Sequence, residues 1–374
     1  MKASRVCTIF SSQQRPRLKL LMEHGTNFDE ERWRELVSFI REERLTDIWI
    51  NPGFVSGRKD GQLVRLEEGT EEDTNHLIRE LFYERPDLLK ELENPMPSID
   101  FTTAVLGMRF RVKTFRAQRR LCAAIRILPD KPPSPEEIDL DPVVLDRICN
   151  APKGLVLVTG QSGSGKTTTL AAIINRINAI RAVKVITIEH PIEYVFENQR
   201  AEITQREVGL DCPSYALGLE DALRQGPDII LCGEIIDEQS ALVALKASET
   251  GHLVLSTLHT SGVSFSINRL INMLPGSYPE ERARSVISAS LLVVIDQRLC
   301  RRKEGGRIAA REICLVNGTV QAKIRQKQEE TLGDTIRASR AEGMVDLNSY
   351  LDGIRHLIVP EEYQRHYRKL SIGR

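Results

Sequence analysis

Aromatic residues make up only 5% of the 374-residue chain, so its cores must be built from Leu, Ile, Val and Ala. Neither charge is in excess: 52 Lys and Arg stand against 52 Asp and Glu. A chain without net charge is not built to coat nucleic acid or an anionic membrane through bulk electrostatics. No apolar run reaches the ~18 residues of a membrane span. The longest, Ser285 to Ile295, reads as a buried helix. The first 20 residues carry Arg5, Arg15, Arg17 and Lys19 without an apolar core, so no signal peptide is expected. Seven cysteines, an odd number without any C-x-x-C pair, argue against a disulfide framework and a structural zinc. A reducing cytoplasm is the compartment this composition suits. With 41% hydrophobic and 28% charged residues, global disorder is excluded.

Low-complexity segments and internal repeats are also missing, and the best landmark is a linker. Pro129, Pro132, Pro133 and Pro135 preclude regular helix or a central strand and make a stiff connector. The expected organisation is a tail over 1–20, a first domain over 21–128, a linker over 129–138 and a second domain over 139–374.

The first domain has a mixed α+β pattern. Trp33, Leu36, Val37 and Ile40 fall on one face of a helix over Asp29 to Glu43. Asp47 to Ile50 and Gln62 to Leu66 read as strands around a turn at Arg58 to Gly61. Thr70 and Asp73 have the spacing of a capping box for a helix holding Leu77, Ile78, Leu81 and Phe82. Phe110 and Val112 alternate with Arg109, Arg111 and Lys113, and Ile125 and Ile127 with Arg126, so one face of this hairpin collects arginines. In the second domain the short apolar runs Leu155–Val158, Val185–Ile188, Ile229–Cys232 and Leu253–Leu255 are separated by amphipathic helices. That pattern predicts an α/β fold with a mostly parallel sheet buried on both faces.

Gly160, Gln161, Ser162, Gly163, Ser164, Gly165, Lys166 and Thr167 match the phosphate-loop pattern G-x-x-x-x-G-K-[ST], with Thr168 following in the helix. A strand over Gly154 to Thr159 and a helix over Lys166 to Ile180 supply the context that a glycine-rich turn would lack. Backbone N–H groups and the positive helix end would face phosphate oxygens. Lys166 would reach the β- and γ-phosphates of ATP, and the Thr167 hydroxyl would ligate Mg²⁺. Three acid or histidine segments follow. Glu234 ends an apolar strand, where a carboxylate can meet metal-bound water. Glu189 lies before Pro191 at a strand end, where α/β sheets bind ligands and a carboxylate can take a proton from water. Either glutamate also suits a solvated strand end; the loop before them favours chemistry. His252 and His259 bracket one strand, and His259, after it, is the better γ-phosphate sensor.

The phosphate loop, T-I-E-x-P-I-E, strand-G-E and T-G-H-L-V-x-x-T-L-H-T, in that order, resemble the PilT-like type II/IV secretion ATPases over most of Thr46 to Leu351. The resemblance implies a RecA-like P-loop NTPase core with a smaller N-terminal α+β, PAS-like domain, and a hexameric ring. It also implies partners in an inner-membrane secretion or pilus assembly, reached from the cytoplasmic face, with membrane contact only through those partners. Arginines answering phosphate charge would fall on Arg111 and Arg126, less surely on Arg109. Three departures are visible: His190 stands for an aspartate, Ile236 for an arginine, and Thr319 to Arg325 matches the retraction-motor signature poorly. They favour a DotB- or TraJ-like transfer ATPase slightly over a twitching-motility retraction motor. Two other classes remain open. One is a nucleic-acid translocase using the run Arg298, Arg301, Arg302, Lys303, Arg307 and Arg311, although sequence-specific nucleic-acid binding is not expected. The other is a non-hydrolysing scaffold. The run reads better as a solvated hairpin or subunit-contact loop.

Overall fold

Alternating apolar and charged residues in the first third of the chain become an antiparallel sheet. The computed structural model describes residues 30–59, 62–94, 98–129, 131–274 and 276–367. The expected tail over 1–20 and Cys7 lie outside these. The chain divides into two compact units, Met1–Asp130 and Lys131–Arg374.

In the first unit, helix α1 (Glu30–Glu42) precedes β1 (Leu45–Asn51), β2 (Phe54–Lys59) and β3 (Gln62–Glu68). Helix α2 (Glu71–Glu80), the short α3 (Pro86–Leu89), β4 (Ile99–Val105), β5 (Met108–Ala117) and β6 (Arg120–Leu128) follow. The strands order as β3-β2-β1-β6-β5-β4, with every pairing antiparallel. The Thr70–Asp73 capping box forms in full, but α2 stops at Glu80, so Leu81 and Phe82 pack from the turn after it. Arg58 and Lys59 belong to β2 rather than to a turn, and β4 has no counterpart among the expected strands. Trp33, Val37, Phe39 and Ile40 of α1 pack with Leu77 and Ile78 of α2 against the apolar face of β1, β5 and β6. Glu80 ties the two helices: its Oε2 accepts from Trp33 Nε1 at 3.0 Å and meets the Arg32 guanidinium, while Oε1 lies 3.1 Å from His76 Nε2.

The second unit begins with proline-rich chain laid on its own surface. Asn175 Nδ2 donates to the Pro133 carbonyl at 3.2 Å, and Arg311 donates to the carbonyls of Ile138 and Asp139 at 2.7 and 2.9 Å. Arg311 is therefore buried at 1% exposure and is no part of a solvated basic face. After helix α4 (Pro142–Cys149) come β7 (Gly154–Thr159), α5 (Lys166–Ile180), β8 (Lys184–Glu189), β9 (Glu202–Glu207), α6 (Tyr215–Ala222) and β10 (Ile229–Cys232). Helix α7 (Glu238–Glu249), β11 (Leu253–Leu258), α8 (Val263–Asn272), α9 (Glu280–Ser290), β12 (Leu291–Arg301) and β13 (Arg307–Leu315) complete the sheet region. The order is β13-β12-β7-β11-β10-β8-β9, parallel except for β13.

The expected buried helix over Ser285 to Ile295 is corrected: α9 ends at Ser290 and Leu291 starts β12. The β-branched run Val293, Val294, Ile295 suits the pleated strand beside β7 better than another helical turn. Helices α10 (Gly318–Arg325), α11 (Leu332–Ala338), α12 (Leu347–Ile354) and α13 (Pro360–His366) follow. Among the described residues, no helix is long and apolar enough to cross a membrane.

Candidate active site

The carboxyl ends of β7, β8, β10 and β11 converge on one edge of the parallel sheet, the position where open α/β sheets take ligands. The loop from Gly160 turns there because its glycines adopt backbone angles closed to other residues. Gly160 has φ 143°, and a Cβ on it would lie 2.4 Å from the Gln297 carbonyl oxygen and 2.5 Å from Ser164 Oγ. Gly165, at φ 86°, is the N-cap of α5 and brings no side chain to cap it. The first-turn N–H groups of Lys166, Thr167 and Thr168 thus have no side-chain cap, and the helix dipole points its positive end at the same place.

Lys166 Nζ folds back over this loop, donating to the carbonyls of Gly160 and Gln161 at 3.0 and 3.2 Å. Burial holds its pKa below the ordinary lysine value, and the charges of Glu234, Glu193 and Asp296 pull it back up. His259 stands between Lys166 and Glu234. Its Nδ1 lies 3.4 Å from Lys166 Nζ and its Nε2 3.1 Å from Glu234 Oε1. An ammonium can only donate, so Nδ1 accepts and the imidazole proton sits on Nε2, facing the carboxylate. Lysine, histidine and glutamate then form one directional chain beside the loop.

Glu234 is placed by backbone on both sides. Gly233 N donates to the Ile188 carbonyl at 2.8 Å, and Thr257 Oγ1 donates to the Gly233 carbonyl at 2.7 Å. A Cβ on Gly233 would meet that same Ile188 oxygen at 3.2 Å, so glycine lets the two acid-bearing strands approach. Glu189, at the end of β8, is 5% exposed. Its Oε1 accepts from Thr187 Oγ1 at 2.7 Å and Gln205 Nε2 at 3.1 Å. Gln205 also donates to the Tyr194 carbonyl at 2.8 Å, and the Tyr194 hydroxyl donates to Thr168 Oγ1 at 3.1 Å. Strand β9 therefore fixes both Glu189 and the segment that leans on the phosphate loop.

Other residues singled out in the sequence lie elsewhere. His252, at the opposite end of β11, has Nδ1 3.0 Å from the Ala247 carbonyl and closes the turn after α7. Asp237 caps α7, accepting from Ser240 N at 2.8 Å, and Ile236 beside it is exposed. Arg111 and Arg126 belong to the first unit, directly opposite each other on β5 and β6. Arg111 makes a two-pronged pair with Asp100 at 3.2 and 3.0 Å, and Arg126 Nε meets Asp47 at 3.1 Å.

Sequence reasoning passed over Gln297 of β12. It is fully buried; its Nε2 donates to the Ser164 carbonyl at 2.8 Å and its Oε1 accepts from Thr169 Oγ1 at 2.9 Å. Its neighbour Asp296, equally buried, accepts from Thr159 Oγ1 at 3.2 Å. The signal was available: two polar residues follow the apolar run Leu291 to Ile295 directly, and buried polar groups need partners. Gln297→Ala leaves the Ser164 carbonyl and the Thr169 hydroxyl without this partner, at about 1–3 kcal/mol each. If the loop geometry rather than the fold absorbs that loss, ADP affinity should fall by ~10-fold or more, as measured by titration calorimetry. Unchanged affinity would show that the loop holds itself.

A strand, a glycine-shaped phosphate loop, a helix N-terminus, and acids on the adjacent strands define a phosphate-loop nucleotide hydrolase fold. The family model "Type II/IV secretion system protein" matches residues 55–369, and the chain belongs to that family. It is 36% identical over 328 residues to the type IV pilus retraction ATPase PilT of Pseudomonas aeruginosa, covering 86% of this chain and 93% of that one. It is 36% identical over 312 residues to a twitching motility protein of Neisseria gonorrhoeae, covering 82% of each. Among solved structures, a pilus retraction motor PilT with bound ADP superposes with a TM-score of 0.79 at 35% identity, covering 90% of this chain and 97% of that one. The Legionella pneumophila ATPase DotB superposes at 0.78 with 24% identity, covering 92% and 97%, and shares the fold.

Proposed function

We propose that this protein hydrolyses ATP and, as a ring of six copies, drives a type IV pilus or type IV secretion machine from the cytoplasmic face of the inner membrane. The observation that carries the reading is the chain Lys166–His259–Glu234 laid beside the phosphate loop. It joins the group that would hold phosphate, the group that would sense its charge, and a carboxylate able to accept a proton from water. Two relatives matched over most of their length are a pilus retraction ATPase and a twitching motility protein. Their weight falls on the pilus side, against the slight lean of the sequence departures towards transfer ATPases.

Each residue then has a task. The loop from Gly160 to Thr167, with Thr168, holds the phosphates of ATP. The Thr167 hydroxyl is a hard oxygen donor that fits Mg²⁺. When bound, the ion would neutralise charge on the phosphates. Glu234 takes the proton of the attacking water. Glu189, held rigid by Thr187 and Gln205, orients that water. Arg111 and Arg126, offered by a neighbouring copy, meet charge spreading over the γ-phosphoryl oxygens. Their half-exposed pairs with Asp100 and Asp47 are each worth ~1 kcal/mol or less, a small cost for exchanging one anion for another.

Two other readings fare less well. A nucleic-acid translocase needs a free basic stripe, but Arg311 is buried on backbone carbonyls, Arg301 faces Glu362 and Arg302 faces Asp139. A non-hydrolysing scaffold has no use for the glutamates beside the loop. Phosphate release by the full-length protein tests the proposal. Arg111→Ala should cut the rate by ~100-fold, less than loss of a lone arginine in trans, because Arg126 remains beside it. Random mixtures of Arg111→Ala and Glu234→Gln chains should recover activity above either pure variant. No recovery would count against an arginine donated across subunits.

A further inference from the structure

Strand β12 carries a second constellation, three residues beyond Gln297 and separate from the nucleotide site. Cys300 is fully buried, and Glu362 and His366 of α13 lie one helical turn apart on the face packed towards it. One Sγ, one carboxylate oxygen and one ring nitrogen all fall within 4.8 Å of one another. We propose that Cys300, Glu362 and His366 form a binding site for a borderline-soft divalent metal ion of the Zn²⁺ type, which staples α13 to β12.

Three observations carry this. First, His366 Nε2 and Glu362 Oε2 are 3.2 Å apart, yet that buried carboxylate oxygen makes no hydrogen bond among the described residues. That nitrogen-to-oxygen spacing matches an edge of a tetrahedral zinc site, which bonds of ~2.0–2.2 Å place at ~3.3 Å. Second, the two ligand-bearing segments are already in register through the backbone. Val359 N donates to the Arg301 carbonyl at 3.1 Å and Lys303 N to the Leu357 carbonyl at 2.9 Å. Third, the surroundings are those of a small separate core: Cys300 packs with Ile308, Ala310, Leu347, Leu351 and Ile358. Such a cluster buries too little apolar surface to hold a seven-residue helix strongly by itself.

The electrostatics suit the ligand set. On binding a dication, the thiol proton leaves to solvent and the sulfur ligates as thiolate. Thiolate and carboxylate then balance the two charges of the ion. Arg301, whose Nε lies 3.0 Å from Glu362 Oε1, fixes the carboxylate so that Oε2 is presented to the site. A thiolate excludes Mg²⁺ and selects zinc, cobalt or a similar metal. The 15% exposure of the His366 side chain leaves solvent a route to a fourth position. These ligands come from distant parts of the chain, so the absence of C-x-x-C spacing did not speak to them.

The test is cobalt spectroscopy on the full-length, metal-stripped protein without nucleotide. One equivalent of Co²⁺ should give a thiolate-to-metal charge-transfer band that Zn²⁺ bleaches and Mg²⁺ does not. The band should vanish in Cys300→Ser. It should require at least ~100-fold more cobalt in His366→Gln, since loss of even an outer-shell partner costs about 10–100-fold. His366 is partly exposed, so its replacement keeps the test open if the Cys300 variant fails to fold. No thiolate band in the parent protein, or a band of undiminished affinity in His366→Gln, overturns the proposal.

Discussion

Glu234→Gln should bind ATP within about threefold of the parent protein yet turn it over at least ~1000-fold more slowly, the range general-base catalysis commands. The amide oxygen can still accept the proton that His259 Nε2 offers at 3.1 Å, so the site keeps its shape. What disappears is the basic oxygen. The variant should therefore trap ATP in the ring, and rapid-quench measurement of bound ATP against phosphate released separates this from a binding defect. Turnover at the parental rate would transfer the base assignment to Glu189, whose carboxylate is already spoken for by Thr187 and Gln205.

Lys166→Ala should lose both functions. A buried ammonium bonding to phosphate contributes about 1.5–3 kcal/mol, so ADP affinity should fall by roughly 10- to 100-fold. Hydrolysis should fall at least ~1000-fold, because the lysine also meets charge that grows on the transferring group. Lys166→Arg should not rescue it. Nζ fits between the carbonyls of Gly160 and Gln161, and a planar guanidinium is too large for that space. Calorimetry with ADP and a phosphate-release assay read the two losses separately. Parental hydrolysis in Lys166→Ala would falsify the loop assignment.

The nucleotide-binding core was legible because its signals are local. Gly154–Thr159 and Lys166–Ile180 fall on the elements the sequence marked, since a glycine loop needs a strand before it and a helix after it. The strands carrying Glu189 and Glu234 showed as short apolar runs because both their faces are covered. Strand β4 was missed because Ile99 to Val105 includes Asp100, Thr102 and Thr103, too polar to stand out as an apolar run. Strand β12 was taken for helix because a continuous apolar run carries no period to tell the two apart. Arg311 read as a surface charge in a basic run, whereas the carbonyls of Ile138 and Asp139 make a buried guanidinium tolerable. The Gln205–Glu189 bond joins residues on neighbouring strands, and no spacing along the chain announces a partnership made by sheet order.

That partnership couples the chemistry to the rim of the sheet. Strand β9 is outermost in the order, bonded to β8 on one side only, and most of its residues are only half-buried. Rim strands exchange their amide hydrogens through local openings that need far less free energy than unfolding the whole unit. Each such opening takes Gln205 away from Glu189 and from the Tyr194 carbonyl while β7, β10 and β11 stay intact. On warming, hydrolysis should thus fail at a lower temperature than the one at which the sheet melts, giving the carboxylate proposed to orient water a thermal limit of its own.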